Sequence, residues 1–151
     1  MSQFATEGKK EVIITIGGFH YDEAGEGDDM ELVSVGEYYY RNGKHYLLYE
    51  EMPDAESGEI VQNMMKLSRE ETVLTKKKAV SAQMVFRPGS RSESFYQTPV
   101  GVLHIGISTA EILLEETEQG LHAEIGYMMD VNGEAISNSR IIVDVRENRP
   151  L

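Results

Sequence analysis

The sequence predicts an all-β fold, an antiparallel sandwich or barrel of nine or ten short strands. Three observations carry that reading. Two Asn-Gly pairs lie inside strand-like sequence, apolar residues recur at every second position, and turn-forming residues punctuate the chain at spacings of about 8–12 residues with no long helix between them.

Taken in order, residues 11–20 carry Val12, Ile14 and Ile16 in period two, the pattern of a half-buried strand. Residues 22–29 hold five carboxylates around Gly25 and Gly27 and read as a solvated hairpin loop. A strand over 30–40 then enters Arg41-Asn42-Gly43-Lys44, where both central residues tolerate the positive φ of a type I′ turn, and residues 45–49 return. Strands follow over 59–67, 71–77 and 80–87, Pro88-Gly89 and Thr98-Pro99 punctuate the middle, and 100–109 forms the next strand. Residues 110–118 are read as strand, with a short helical turn as the alternative, because Ser108-Thr109-Ala110-Glu111 matches a capping box. The last hairpin pairs 121–131 with 135–145 through Asn132-Gly133. With 151 residues and no linker, repeat or low-complexity tract, the chain is expected to form one domain over 1–151, with flexible ends at 1–9 and 147–151.

Alternation also assigns faces. Val12, Ile14, Ile16, Met84, Phe86, Leu103, Ile105 and Ile107 are expected inside, with Ile125, Tyr127, Met129, Ile141, Val143 and Val145. Gln83, Arg87, His104, His122, Glu124, Asp130, Arg140, Asp144 and Arg146 are expected outside.

Composition limits function. The 14 Lys+Arg against 26 Asp+Glu give a net charge of −12, which repels phosphate backbones and argues against a nucleic-acid partner. There is no cysteine, so neither disulfides nor thiolate chemistry arise. The longest apolar run near the N-terminus is Val12 to Ile14, far too short for a signal-peptide core or membrane span, so a soluble cytoplasmic protein without a membrane role is expected.

Motifs for catalysis are missing. His20, His45, His104 and His122 form no H-x-H or H-x-x-x-H pair, and outward-facing solvated imidazoles are the ordinary account of those on strands, so no metal and no cofactor are expected. The acidic 22–29 segment lacks the ligand spacing of a calcium loop. Lys76-Lys77-Lys78 reads as a solvated strand end rather than an anion site. No nucleophile elbow, H-E-x-x-H or kinase signature is present, and the protein is not expected to be an enzyme. Five of the eight tyrosines, Tyr38, Tyr39, Tyr40, Tyr46 and Tyr49, crowd the first hairpin, where cross-strand pairing on both faces explains them. The eight methionines read first as core filler, with an adaptable pocket lining as the other use.

The run from Ala79 through Gln83-Met84-Val85-Phe86-Arg87-Pro88-Gly89, then Ser94-Phe95-Tyr96-Gln97-Thr98-Pro99-Val100-Gly101 and Gly106-Ile107-Ser108-Thr109, resembles the YwiB-like family of small bacterial proteins with a lipocalin-like barrel. The likeness extends to the first strand and both Asn-Gly hairpins, and departs mildly at Val100, where an aromatic residue is usual. It implies a single calycin-type antiparallel barrel of about eight to ten strands and a Gram-positive bacterial source. It carries no reaction.

A barrel of that size holds either its own side chains or one small ligand. The first expectation is therefore noncatalytic binding of a small neutral or largely apolar molecule, bordered by Met84, Phe86, Tyr96, Leu103, Ile105 and Tyr127, with Tyr96 and Tyr127 as polar anchors. The alternative is a structural or protein-interaction module with a filled barrel; the sequence singles out no protein partner or self-association. Arg41, Arg69, Arg91 and Arg149 fall in turns or ends, and Arg87, Arg140 and Arg146 face outward, so no arginine is placed to meet a buried carboxylate.

Overall fold

A computed structural model describes residues 8–21, 27–52, 56–77 and 82–148. Among them there is no helix. Ten strands run in chain order: β1 Lys10–Tyr21, β2 Gly27–Arg41, β3 Lys44–Glu51, β4 Val61–Leu67, β5 Thr72–Lys77, β6 Ala82–Phe86, β7 Arg91–Thr98, β8 Gly101–Glu116, β9 Gly120–Val131 and β10 Glu134–Glu147. They form one antiparallel sheet in the order β6-β5-β4-β3-β2-β1-β10-β9-β8-β7, which curls into a nearly closed barrel. Pairing of β1 with β10 joins the two halves, from Val12↔Glu147 to Tyr21↔Asn138. The seam lies between β6 and β7, where no ladder forms; Ser94 Oγ donates to the Gln83 carbonyl across it at 3.0 Å.

Both Asn-Gly turns have the expected backbone. Asn42 and Gly43 lie at φ 53° and 75°, Asn132 and Gly133 at 50° and 84°. This matches the right-handed twist of the flanking strands, so the registers Arg41↔Lys44 and Val131↔Glu134 are set locally.

The expected inner face is largely the observed one. Val12, Ile14, Phe86, Ile107, Ile125, Tyr127, Val143 and Val145 are buried, and Ile16, Met84, Ile105, Met129 and Ile141 pack against them. Leu103 is half-buried and stands outside that cluster. In the first hairpin the tyrosines divide by face. Tyr38 and Tyr49 are buried, whereas Tyr39 and Tyr46 stack outside at 4.6 Å with Lys66 over the Tyr46 ring.

Residues 110–116 continue β8 as strand, the reading preferred to a helical turn, and a bulge at Ala110 puts Thr109 opposite Tyr127 and Glu111 opposite Gly126. The extra residue shifts the alternation, so Thr109 is inside before it and Ile112 and Leu114 are inside after it. β7 escapes the period-two reading because its inner positions include Ser92 and Ser94 rather than apolar residues. The expected loose C-terminal end starts too early. Glu147 is laddered to Val12 and ion-paired with Lys10, and Asn148 donates to Glu11 through its backbone and side chain. Positions 22–26 of the acidic loop, Lys78, and the ends 1–7 and 149–151 lie outside the described residues, and β2 already begins at Gly27.

Candidate functional site

The barrel has two unlike ends. One carries the 42–43, 68–71, 87–90 and 117–119 turns, and the other carries the 99–100 and 132–133 turns and the C-terminal ends of β1, β3 and β5. At the second end the interior opens into a half-open cavity of about 430 Å³. Its apolar wall comes from strands all round the barrel: Ile16 on β1, Leu32 on β2, Met65 on β4, Leu74 on β5, Met84 on β6, and Met129 and Ile141 on β9 and β10. Met52 stands exposed at the rim.

Space there follows from the sequence of β1. Alternation brings Gly18 to the inner face opposite Ile141, and a Cβ added at Gly18 would meet nothing within 4 Å. Where the other strands supply larger apolar side chains, position 18 of β1 supplies a hydrogen atom, and the void remains.

Polar groups are few. Tyr49 and Tyr127 reach into the lining, and burial pushes both hydroxyls up from the ordinary phenol range, at Tyr49 with help from the Glu51 carboxylate. A hydrogen bond with Ser139 opposes that rise at Tyr127, whose ring packs edge-on against Phe86 at 5.0 Å. Lys76 Nζ lies 2.8 Å from Glu51 Oε1, which also accepts from Asn63 Nδ2 at 3.1 Å. Glu31 borders the mouth from the outward-facing position opposite Gly17.

Of the residues singled out from sequence, Met84 and Tyr127 line this cavity. Phe86 is fully buried against Tyr127 and belongs to the packed core, as does the region around Ile105. Leu103 pairs with Tyr96 on the β7–β8 ladder and is not in the lining; the Tyr96 side chain lies outside the described residues. The residues not foreseen, Tyr49, Met65, Leu74 and Gly18, come from β1 and β3–β5. Their own alternation marks them as inward-facing, but only barrel closure brings them opposite Tyr127 and Met129.

A larger and more open hollow of about 650 Å³ lies by the Ala110 bulge, between Arg91 and Arg140. Both guanidiniums are already committed. Arg91 holds Asp130 at 2.8 Å, and Arg140 bridges Glu111 and Glu124 at 2.6 and 3.1 Å. It is a less apt ligand site than the barrel cavity, since a newcomer would have to displace these pairs.

The histidines divide in a way the sequence did not foretell. His45 is buried at the first barrel end, with Nδ1 2.7 Å from the Tyr38 hydroxyl and Nε2 2.9 Å from Glu116 Oε1, so the expectation of a solvated imidazole is wrong for it. Its ring faces inward because β3 alternates His45, Leu47 and Tyr49 toward the core. His122 lies on the outer face between Asp144 at 2.5 Å and Glu124 at 2.9 Å. Among the described residues no group of three or more His, Asp or Glu side chains is placed to hold a metal ion, and no helix is long and apolar enough to cross a membrane.

Comparison with known proteins agrees with this architecture. A family described as "Domain of unknown function (DUF1934)" matches residues 14–142. The crystal structure of the ywiB protein from Bacillus subtilis is similar with a TM-score of 0.79 at 22% identity, over 93% of this chain and 94% of that one. No curated protein matches.

Proposed function

The chain belongs to the DUF1934 family, and from that premise we propose that it is a noncatalytic carrier that holds one small, largely apolar molecule inside its barrel. The observation that supports this is the cavity of about 430 Å³, which falls within the range of about 300–1,000 Å³ usual for small-ligand sites. A barrel whose role is only structural gains nothing from leaving Gly18 opposite Ile141, because filling that space would add buried apolar area. Four methionines, Met52, Met65, Met84 and Met129, give the wall unbranched, polarisable side chains that adapt to a guest.

Titration with the neutral fluorophore N-phenyl-1-naphthylamine tests the reading. Saturable binding is expected for the natural sequence, and its loss is expected in Gly18→Leu, which fills the cavity without strain because Gly18 is not at positive φ. No saturable binding, or equal binding by both proteins, would sink the carrier and favour the filled interaction module.

A further inference from the structure

Deepening the carrier reading, on whose cavity it rests, we propose that the guest is a side chain of an extended basic peptide, which adds an antiparallel strand to the free edge of β2. The ladder from β2 to β1 runs from Tyr38 to Gly27, whereas the ladder to β3 stops at Glu37↔Leu48. The two strands part at Gly36, where an added Cβ would lie 2.5 Å from the Leu48 carbonyl oxygen. Just beyond, where no ladder runs, the Ser34 hydroxyl donates to the Glu50 carbonyl at 3.3 Å. Arg41 and Lys44 flank a two-residue turn and exchange both their bonds, so the odd-numbered residues of β2 aim N–H and C=O toward β3. At Glu31 and Val33 those groups face a slot in which no strand of the described residues pairs with them.

Edges of this kind take up extended segments, with the main chain supplying affinity and alternate side chains supplying specificity. The slot runs to the barrel end where the cavity opens, and Leu32 and Tyr49 line that cavity from its two lips. A strand seated on β2 therefore sends every second side chain inward beside Leu32 and the others outward beside Glu31 and Val33. Val33 and Val35, 60% and 59% exposed, offer the outward side chains apolar surface to cover. Charge on the outer lips selects the occupant. Glu31 on β2 and Glu50 on β3 are both exposed, and neither is ion-paired with a described residue. A second copy would bring the same carboxylates and another −12, whereas a basic segment complements them. The inward charges play no part in this choice, because Lys76 and Glu51 pair with each other.

The experiment titrates the whole protein with the N-acetylated, C-amidated peptide KTKFKTK, whose strand form puts Phe and Thr on one face and Lys on the other. Saturable binding that displaces N-phenyl-1-naphthylamine is expected, with new hydrogen-exchange protection at the Glu31 and Val33 amides. Replacing the peptide's Phe by Ala, or every Lys by Glu, is expected to weaken binding at least about tenfold. N-methylation of the peptide's Lys amides, which face β2, should abolish binding, and N-methylation of its Thr and Phe amides should cost far less. Val33→Pro removes an N–H that the β1 ladder does not use, a change edge positions tolerate, and should lose the peptide while keeping the fluorophore. Fluorophore binding without peptide binding overturns the peptide inference and leaves the carrier reading standing. Peptide binding indifferent both to N-methylation and to Val33→Pro overturns it as well. Peptide binding with edge protection but no fluorophore binding sinks the small-molecule carrier and leaves the edge site.

Discussion

His45 on β3 and Glu116 at the end of β8 meet at 2.9 Å across the barrel interior, although their strands are not neighbours in the sheet. The neutral imidazole with its proton on Nε2 satisfies both ring nitrogens: Nε2–H donates to Glu116, and Nδ1 accepts from the Tyr38 hydroxyl at 2.7 Å. Beside it, Arg69 in the β4–β5 turn donates to the Leu114 carbonyl of β8 at 2.8 Å. These links tie the β3–β5 wall to β8 across the first end of the barrel. The cavity lies at the other end.

Removing the carboxylate should show what that link contributes. Glu116→Ala leaves the buried Nε2–H of His45 without an acceptor, and the expected loss is about 1–3 kcal/mol in urea unfolding. Glu116→Gln keeps a carbonyl oxygen and should lose less. Equal midpoints for all three proteins would mean that the contact contributes nothing.

The two best-placed histidines should give stability opposite dependences on pH. Burial holds the folded-state pKa of His45 below the ordinary 6.5, with Glu116 opposing only in part. The unfolded chain then binds the proton more readily, so this contribution is present above pH 6.5 and is lost as pH falls through that value. At His122 the Glu124 and then the Asp144 hydrogen bonds raise the pKa, so its contribution is present below 6.5 and is lost as pH rises through the folded value. Solvent exposure makes the His122 effect the smaller. Urea midpoints from pH 5 to 8 should therefore show His45→Gln weakening the acid-side loss and His122→Gln flattening the alkaline side. Parallel profiles for both variants would contradict the assignment.

Much of the barrel was legible because strands half-buried on one face write their faces in period two. Val12, Ile14 and Ile16, or Ile141, Val143 and Val145, announce themselves this way. Legibility failed where another force set the pattern. The Ala110 bulge broke the period within β8, and the serines of β7 removed the apolar signal. Only part of the cavity was readable, since its lining joins Gly18 and Tyr49 to Met129 through closure of the sheet, a relation between strands that no local spacing records. His45 illustrates the same limit. Its sequence neighbours suit an ordinary strand histidine, and the partner that makes burial tolerable, Glu116, is 71 positions away.

The two Asn-Gly turns look alike in sequence and should differ in cost. At 132–133 the Asn side chain does more than tolerate positive φ: its Oδ1 accepts from the His104 backbone at 3.0 Å, and its own N–H donates to the His104 carbonyl at 2.8 Å. Asn132 thus carries the β8–β9 ladder beyond Ile105↔Val131. Asn132→Ala should lose both the turn preference and the side-chain bond, about 1–2 kcal/mol for the backbone and ~1 kcal/mol for the bond, whereas Asn42→Ala loses the first alone. Gly133→Val should be worse, because a β-branched residue at φ 84° is strained. Thermal unfolding ranks the variants, and a milder effect at Asn132 than at Asn42 would refute the ladder role.

The seam should be the first part of the barrel to open. β7 has a ladder to β8 on one side only, and toward β6 the Ser94–Gln83 bond stands in for a second ladder. Its inner positions Ser92 and Ser94 bury little apolar surface, and the Ser92 hydroxyl is buried without a hydrogen-bond partner. By contrast β1 is paired on both sides for most of its length and buries Val12 and Ile14 completely. Local opening needs least free energy where few apolar contacts and few ladder bonds must be given up. Native-state hydrogen exchange is thus expected to be faster for the amides of β7 that face β6 than for those of β1 and β10. Ser94→Ala should quicken the β7 amides while leaving those of β1 unchanged, since it removes a link that only the seam uses. Protection of β7 equal to that of β1 would mean that the seam is held by contacts other than the one hydrogen bond, and that the barrel opens only by unfolding as a whole.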